Sequence, residues 1–177
     1  SQFILVSMSR EDEIVKERLK KLNELKNSGI NPYPSKFEKK QTIQECKKTK
    51  LKSKVKTAAR VLSTRDFGKI SFAKIDDGTN DIQIVLQKGT VPDKTAVFFK
   101  KYADIGDFVG VEGTIFRTKR GEISVLVKKV ELLSKSLTPL PEKWHGLQDK
   151  EERYRKRYVD LIMNPDVRRV FDKREKI

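Results

Sequence analysis

The sequence has a single cysteine, Cys46, and a single histidine among its 177 residues. One cysteine cannot form a disulfide within the chain, which fits a reducing compartment. One cysteine and one histidine are also too few for a zinc site built from such ligands. Long apolar runs are missing too, so neither a membrane span nor the core of a signal peptide is predicted. These absences predict a cytoplasmic chain with no metal site and no membrane partner.

Acidic residues are in deficit, since 25 Asp and Glu stand against 40 Lys and Arg, a formal net charge of +15. This excess favours nucleic acid as a partner, ahead of an anionic membrane, although lysine-rich surfaces can also serve solubility alone. Part of the charge is concentrated in "KKTKLKSKVK", residues 47–56. Such a block is usually an interaction arm or a solvated linker. We expect weak, nonspecific phosphate contacts from Lys48, Lys50, Lys52 and Lys54.

Before residue 54 the sequence predicts one amphipathic helix and a connector. Residues 1–8 have the character of an expression remnant and take no part in the fold prediction. Ser9 is a candidate N-cap, and Gly29 and Pro32 end the helical pattern. A stripe at helical spacing predicts docking onto the rest of the protein, with membrane or RNA binding as alternatives; it comprises Ile14, Val15, Leu19, Leu22 and Leu25. From Pro32 to Ser53 no periodicity is evident, so residues 9–53 are predicted to be the helix and a basic connector.

Residues 54–135 have the pattern of strands. The segments are "VKTAARVLSTR", "KISFAKID" and "DIQIVLQ", then the helical "DKTAVFFKKYADIG", then "DFVGVEGTIFRTK" and "EISVLVKKVELLS". Three strands, a helix and two strands is the order of a five-stranded OB barrel. An SH3-like barrel is the alternative, which the helix between the third and fourth strands disfavours. The predicted fold is mainly β with flanking helices.

After the strands the composition changes again. "SLTPLPEKWHG" contains two prolines and a glycine and predicts a linker over residues 136–148. "DKEERYRKRYVDLIMNP" predicts a helix with Asp149 as its N-cap, and "DVRRVFDKREKI" predicts the start of another. Because this second pattern stops at Ile177 without a cap, residues 149–177 are expected to be the truncated start of a second domain.

The strand "KISFAKID" can place Phe72 in the core or on the surface. An inward Phe72 would also turn Lys74 and Asp76 toward the core, and buried charge is costly. The opposite orientation buries the smaller set Ser71, Ala73 and Ile75. The strand alone leaves both orientations open, and a large aromatic side chain favours the core.

On the outer face, Phe72 would join Gln83 and Glu122 from the adjoining strands. A ring stacks on a base, an amide reads base edges, and a carboxylate accepts hydrogen bonds from base amino or imino groups. OB barrels bind single strands on this face, with basic residues nearby for the phosphates. The outward orientation therefore predicts a nucleic-acid site.

The segment "PLPEKWHGLQDKEERYRKRYVDLIMNP" closely resembles class II lysyl-tRNA synthetases, in which an OB anticodon-binding domain precedes the catalytic domain. "GKISF" and "RGEIS" also match that family's OB domain. The resemblance covers residues 13–34 loosely and 55–177 well. It implies that Phe72 stacks on an anticodon base, that Gln83 binds the same base, and that Glu122 completes a uridine pocket. It also implies that Arg65 contacts the anticodon loop, and it places Phe72 on the outer face.

For the complete enzyme, the resemblance implies ATP- and magnesium-dependent attachment of lysine to tRNA-Lys by a cytoplasmic homodimer. This chain would bind the anticodon. It would contain no catalytic residue and bind no cofactor, because the family's motifs for ATP and lysine lie beyond its last residue. Arg153, Arg155, Arg157 and Tyr158 are expected to pack the two domains together or to support the dimer. The alternatives are a stand-alone OB protein that binds single strands and an aspartyl- or asparaginyl-tRNA synthetase.

Overall fold

The computed structural model describes residues 9–141 and 150–177. The chain divides into two compact units, one ending at Pro139 and the other beginning at Leu140, and each is described by itself. The predicted remnant at residues 1–8, most of the predicted linker and the candidate cap Asp149 lie outside the described residues. Within the described ranges, no helix is both long and apolar enough to cross a bilayer.

The first unit contains five strands, which close into a barrel. The strands are β1 (Lys54–Asp66), β2 (Ile70–Asp76), β3 (Asp81–Gln87), β4 (Phe108–Arg117) and β5 (Ile123–Ser134). Their order around the barrel is β1-β2-β3-β5-β4, with β3 and β5 parallel and the other pairs antiparallel. Alternate positions point inward, so β-branched side chains such as Ile75, Ile84 and Val125 fill the core. The predicted OB fold is confirmed.

The amphipathic helix α1 (Arg10–Asn27) begins where the sequence predicts. Ser9 Oγ accepts a hydrogen bond from Asp12 N at 3.2 Å, and the Asp12 carboxylate accepts one from Ser9 N at 3.0 Å, which together form a capping box. The buried face differs from the predicted stripe, because Arg18 is buried whereas Leu19 is 41% exposed. Arg18 belongs inside because its guanidinium finds carbonyl partners there.

Arg18 donates hydrogen bonds to the carbonyls of Ile105 and Ser136, both at 2.9 Å. Near these carbonyls, Lys135 and Asp107 form a fully buried ion pair at 2.7 Å. A buried charge is tolerated only when its partners are in place. The docking of α1 therefore depends on polar contacts as well as on the apolar stripe.

The predicted connector contains a short helix, α2 (Ile43–Lys48), which the sequence analysis missed. Six residues are too few to show a period, but Thr42 and Glu45 form a capping box that the "TIQE" signature could have indicated. The helix buries Ile43 and Cys46 against the barrel. The helix predicted between the third and fourth strands is present as α3 (Asp93–Tyr102).

Asp77, in the turn after β2, fixes the start of α2. Its Oδ2 accepts hydrogen bonds from Ile43 N at 2.9 Å and Lys39 Nζ at 2.6 Å, and its Oδ1 accepts one from Thr79 Oγ1 at 2.6 Å. Burial alone would raise the pKa of the Asp77 carboxyl, but these hydrogen bonds outweigh burial and lower it to about 2. The ionised carboxylate is therefore the form that the fold stabilises.

Asp77 should make the stability of the first unit depend on acid. Because its folded pKa lies below its unfolded value, its stabilisation is complete above about pH 4 and is lost as the pH falls toward about 2. In denaturant unfolding across this range, the wild type should lose about 2 kcal/mol relative to Asp77→Asn. Glu38→Gln, at the exposed carboxylate that precedes Lys39 in the sequence, is the control and should run parallel to the wild type. A wild-type-to-Asp77→Asn difference that is constant with pH would contradict the prediction.

The second unit contains three helices in its described part: α4 (Lys150–Arg155), α5 (Arg157–Met163) and α6 (Pro165–Glu175). The single helix predicted up to Met163 is interrupted at Lys156, whose φ of -110° and ψ of 50° are not helical. On either side of this interruption, Arg153 and Arg157 both bind the fully buried Asp160, at 3.0 and 2.6 Å. Two of the arginines in "RYRKRY" thus form ion pairs with a buried carboxylate of this unit.

Candidate nucleic-acid interface

The strand register aligns the predicted site residues across the outer face of the barrel. Phe72 in β2 has Arg65 in β1 and Val85 in β3 as its Cα partners. In the neighbouring row, Lys74 is paired with Gln83. Cα partners on adjacent strands point to the same face, so these side chains form one continuous surface.

Phe72 lies on this outer surface, partly covered. The alternate residues of β2, which are Ser71, Ala73 and Ile75, are buried. The Phe72 ring contacts the ring of Phe67 with centroids 5.9 Å apart and planes at 77°, an edge-to-face arrangement. This contact covers part of the Phe72 ring.

One shallow cleft of about 180 Å³ joins all four residues that the resemblance singled out. Its lining consists of Ser63, Arg65, Phe72, Ala73, Lys74, Gln83 and Glu122. An aromatic ring, an amide, a carboxylate and a guanidinium group therefore surround the same small volume. Such a set can stack on a planar ring, exchange hydrogen bonds with its edge and neutralise an attached phosphate.

The amide of Gln83 is oriented by a neighbour that the sequence did not indicate. Gln83 Nε2 donates to Ser124 Oγ at 3.1 Å, and Ser124 is fully buried although it alternates with core residues. Val85 on the same face is also buried, because the register places Phe72 and Leu126 on either side of it. The outer face thus has a packed floor beneath its polar groups.

Glu122 stands at the start of β5, on the turn that joins it to β4. The turn is closed by hydrogen bonds from Thr118 N to Glu122 O at 2.9 Å and from Arg117 Nη1 to Gly121 O at 2.8 Å. Gly121 has a φ of 87°, a conformation that glycine adopts readily. The Glu122 side chain is exposed at the rim of the cleft.

Four lysines of the lysine block, Lys48, Lys50, Lys52 and Lys54, do not line the cleft. Lys48 ends α2, and Lys54 begins β1, whereas Arg65 is near the other end of β1. Lys52 has a φ of 70°, and its N–H donates to the Ile115 carbonyl at 2.7 Å. The side chains of Lys48, Lys50, Lys52 and Lys54 are exposed. The structure therefore brings together the four residues that the resemblance singled out, but it does not bring these lysines to the same cleft.

Lys74 lines the cleft, although from the sequence it is expected only to be a charge that stays out of the core. Its ammonium group is 2.9 Å from Asp81. Burial would raise the pKa of the Asp81 carboxyl, but Lys74 and Lys47 hold it below its usual value. The signal that could have identified Lys74 is its place in the alternation, two residues after Phe72 on the outer face.

Comparison with protein families gives a match for the barrel. Residues 55–133 match the tRNA anti-codon family, described as an OB-fold nucleic acid binding domain. The match covers β1 almost entirely and extends nearly to the end of β5. All of the residues that line the cleft fall within it.

Lysine–tRNA ligases from several organisms are similar over most of this chain. The enzyme of Dehalococcoides mccartyi is 44% identical over 176 residues, which are 94% of this chain and 35% of the relative. That of Pelotomaculum thermopropionicum is 45% identical over 100% of this chain and 36% of the relative. That of Carboxydothermus hydrogenoformans is 47% identical over 94% and 34%. The chain therefore spans about a third of the length of these relatives.

Proposed function

We propose, for a chain that belongs to the lysine–tRNA ligase family and carries a tRNA anti-codon OB domain, that the outer face of this domain binds the anticodon of tRNA-Lys. The observation that carries the proposal is the cleft in which Arg65, Phe72, Gln83 and Glu122 converge. In this proposal the barrel selects the tRNA and performs no chemistry.

Each of the four residues has a distinct role in the proposed complex. The Phe72 ring stacks on a uracil, which suits any base and supplies affinity. Because Gln83 Nε2 is engaged with Ser124, its carbonyl oxygen is the end offered to the base, and it can accept from the N3–H of uracil. The Glu122 carboxylate can only accept hydrogen bonds, so at the rim of the cleft it takes an imino or amino group of a base or a ribose 2′-OH. Arg65 pairs with a phosphate of the loop.

The complete ligase, in this proposal, attaches lysine to tRNA-Lys in the cytoplasm as a homodimer and uses ATP and magnesium. Among the described residues, no group of three or more His, Cys, Asp or Glu could hold a metal ion. In this proposal ATP, magnesium and lysine bind elsewhere in the ligase. We further propose a domain division into residues 9–53, 54–135, 136–148 and 149–177. By itself the chain should not catalyse lysine-dependent pyrophosphate exchange.

Binding to three RNA hairpins tests the proposed function. The hairpins share one stem and differ only in the anticodon: UUU for lysine, GUC for aspartate and GUU for asparagine. We expect tighter binding of UUU, because the chain is similar to lysine–tRNA ligases. All three anticodons have U at the centre, so this comparison tests the flanking positions. A preference for GUC or GUU would assign the chain to a related ligase. Equal binding of all three would favour the stand-alone OB protein.

Removing the two hydrogen-bonding groups should reduce selectivity more than affinity. In Gln83→Ala and Glu122→Ala the Phe72 platform remains, so hairpins of any sequence can still stack. The ratio of the affinity for UUU to that for UCU, a hairpin that differs only at the central base, should fall in both variants when measured by equilibrium binding. Lys94→Ala, which removes an exposed charge on α3 outside the cleft lining, is the control and should keep the ratio. Variants that lose affinity for every hairpin by the same factor would contradict the assigned roles.

The lysine block should add affinity that depends on salt and ignores sequence. Each lysine that neutralises a phosphate releases counterions and steepens the fall of log affinity with log salt by about 0.7 for single strands. Changing Lys48, Lys50, Lys52 and Lys54 together to Ala should therefore flatten this slope while the preference for UUU stays the same. The control for net charge changes four other exposed lysines to Ala: Lys16, Lys20 and Lys26 of α1, and Lys36. If both quadruple variants flattened the slope equally, the lysine block would have no specific role in RNA binding.

A further inference from the structure

The turn between β1 and β2 displays a phenylalanine to solvent beside the cleft. Phe67 is 67% exposed, which is a high fraction for a side chain with no polar group. The turn is tight, since Phe67 N donates to the Ile70 carbonyl at 2.9 Å and Gly68 has a φ of 77°. The ring thus stands at the tip of a hairpin rather than in the core.

Contacts with α3 brace this turn. Lys100 Nζ donates to the Gly68 carbonyl at 2.6 Å and lies 2.9 Å from Asp66 Oδ1. The same carboxylate accepts hydrogen bonds from Gly68 N at 3.1 Å and Ser71 Oγ at 2.9 Å. Lys100 is the main cause of the lowered pKa of the Asp66 carboxyl, followed by Ser71. An exposed ring held on a fixed turn loses little conformational entropy when a ligand stacks on it.

The orientation of the Phe67 ring matches a strand whose bases are spread apart. Its plane is at 77° to that of Phe72, with 5.9 Å between the centroids. Two bases lying on these rings could not stack on each other, and each would need its own platform. Proteins that read single-stranded RNA use unstacked bases of this kind, each on an aromatic side chain.

We propose that Phe67 is a second stacking platform, which takes the base adjoining the one on Phe72. Lys69, the next exposed residue of the turn after Gly68, is placed to accompany the phosphate between the two nucleotides. This inference rests on the proposed function, since it extends the same RNA beyond the cleft. The aromatic ring is the part of Phe67 that acts, so Tyr retains the role and Leu does not.

Equilibrium binding of UUU hairpins with single abasic nucleotides tests the proposal. Phe67→Ala should bind the intact loop about five- to 150-fold more weakly, the loss that one stacked base represents. Two further loops are abasic, one at the nucleotide 5′ of the central base and the other at the nucleotide 3′ of it. With one of these loops, wild type and Phe67→Ala should bind equally. With the other loop, Phe67→Ala should remain the weaker binder. Phe67→Tyr should keep the affinity and Phe67→Leu should lose it. Phe108→Ala, at an exposed ring outside the cleft lining, is the matched control and should bind like the wild type.

The outcomes separate this inference from the proposed function. If Phe67→Ala binds the intact loop normally while Phe72→Ala does not, the second platform is refuted and the cleft stands. If Phe67→Ala loses the same factor with both abasic loops, the ring only supports Phe72, and the inference is again wrong. If neither variant loses affinity, both proposals are refuted. Equal denaturation midpoints for wild type and Phe67→Ala, expected from the exposure of the ring, ensure that the comparison concerns folded protein.

Discussion

Replacing Lys135 by Met should lower the free energy of unfolding by about 3–5 kcal/mol, because it leaves a buried carboxylate without its cation. Lys135 Nζ donates to Asp107 Oδ2 at 2.7 Å and to the Tyr102 carbonyl at 2.8 Å, and it also contacts Asp104. Asp107 in turn accepts a hydrogen bond from Ser136 N at 2.7 Å. Denaturant unfolding of wild type and Lys135→Met measures the difference.

Lys21 provides a matched control for this variant. Its ammonium group is 2.8 Å from the same Asp104, but both side chains of that pair are 20% exposed. Water and salt screen such a pair, so Lys21→Met should cost no more than about 1 kcal/mol. If the two variants proved equally stable, the buried pair would have no special role. Adding Asp107→Asn to Lys135→Met should recover part of the loss, since Asn is neutral and keeps an acceptor for Ser136.

Replacing Phe72 by Ala should weaken binding of a UUU hairpin by roughly 1–3 kcal/mol, the usual contribution of one stacked base. The same change should cost the fold well below the roughly 3–5 kcal/mol of a core Phe→Ala substitution. The reason is that Phe72 lies on the outer face and the core beneath it is filled by other residues. Binding titrations and denaturant unfolding on the same protein give both quantities.

Ile75→Ala is the natural comparison, since Ile75 lies on the same strand but is fully buried. It should lose about 2–5 kcal/mol of stability. The folded fraction that remains should still bind RNA. The two variants are thus expected to show opposite effects. A Phe72→Ala protein that unfolds as easily as Ile75→Ala and binds RNA normally would show that the ring supports the core, and the proposed site would fail.

The strands could be predicted from the sequence because burial on one face imposes a period of two. The five predicted segments agree with β1 to β5 within a few residues, and the candidate N-cap Ser9 marked the start of α1. α2 escaped because it is only six residues long. The break at Lys156 escaped because the sequence around it remains helical in character. Short elements and local interruptions carry too little periodic signal to be seen.

Within the candidate site, alternation could group Phe72 with Gln83 and Glu122, but it could not decide which face of β2 is covered. Arg65 was named only through the resemblance, and its position opposite Phe72 follows from the pairing of β1 with β2. The exposed ring of Phe67 and its support by Lys100 were not predicted at all. Relations between strands and helices depend on register, which local patterns do not contain.

The sequence by itself determined the class of the fold, the order of its elements, the positive charge and the resemblance to lysyl-tRNA synthetases. Each of these can be deduced from local composition, residue spacing or a short motif. Only the tertiary structure decided that Arg18 and Lys135 are buried whereas Leu19 is exposed. The physical reason is that a charged side chain can be buried only where distant carbonyls and carboxylates converge on it. Barrel closure brings Ile105, Asp107 and Ser136 to that place, and no local pattern in the chain records their meeting.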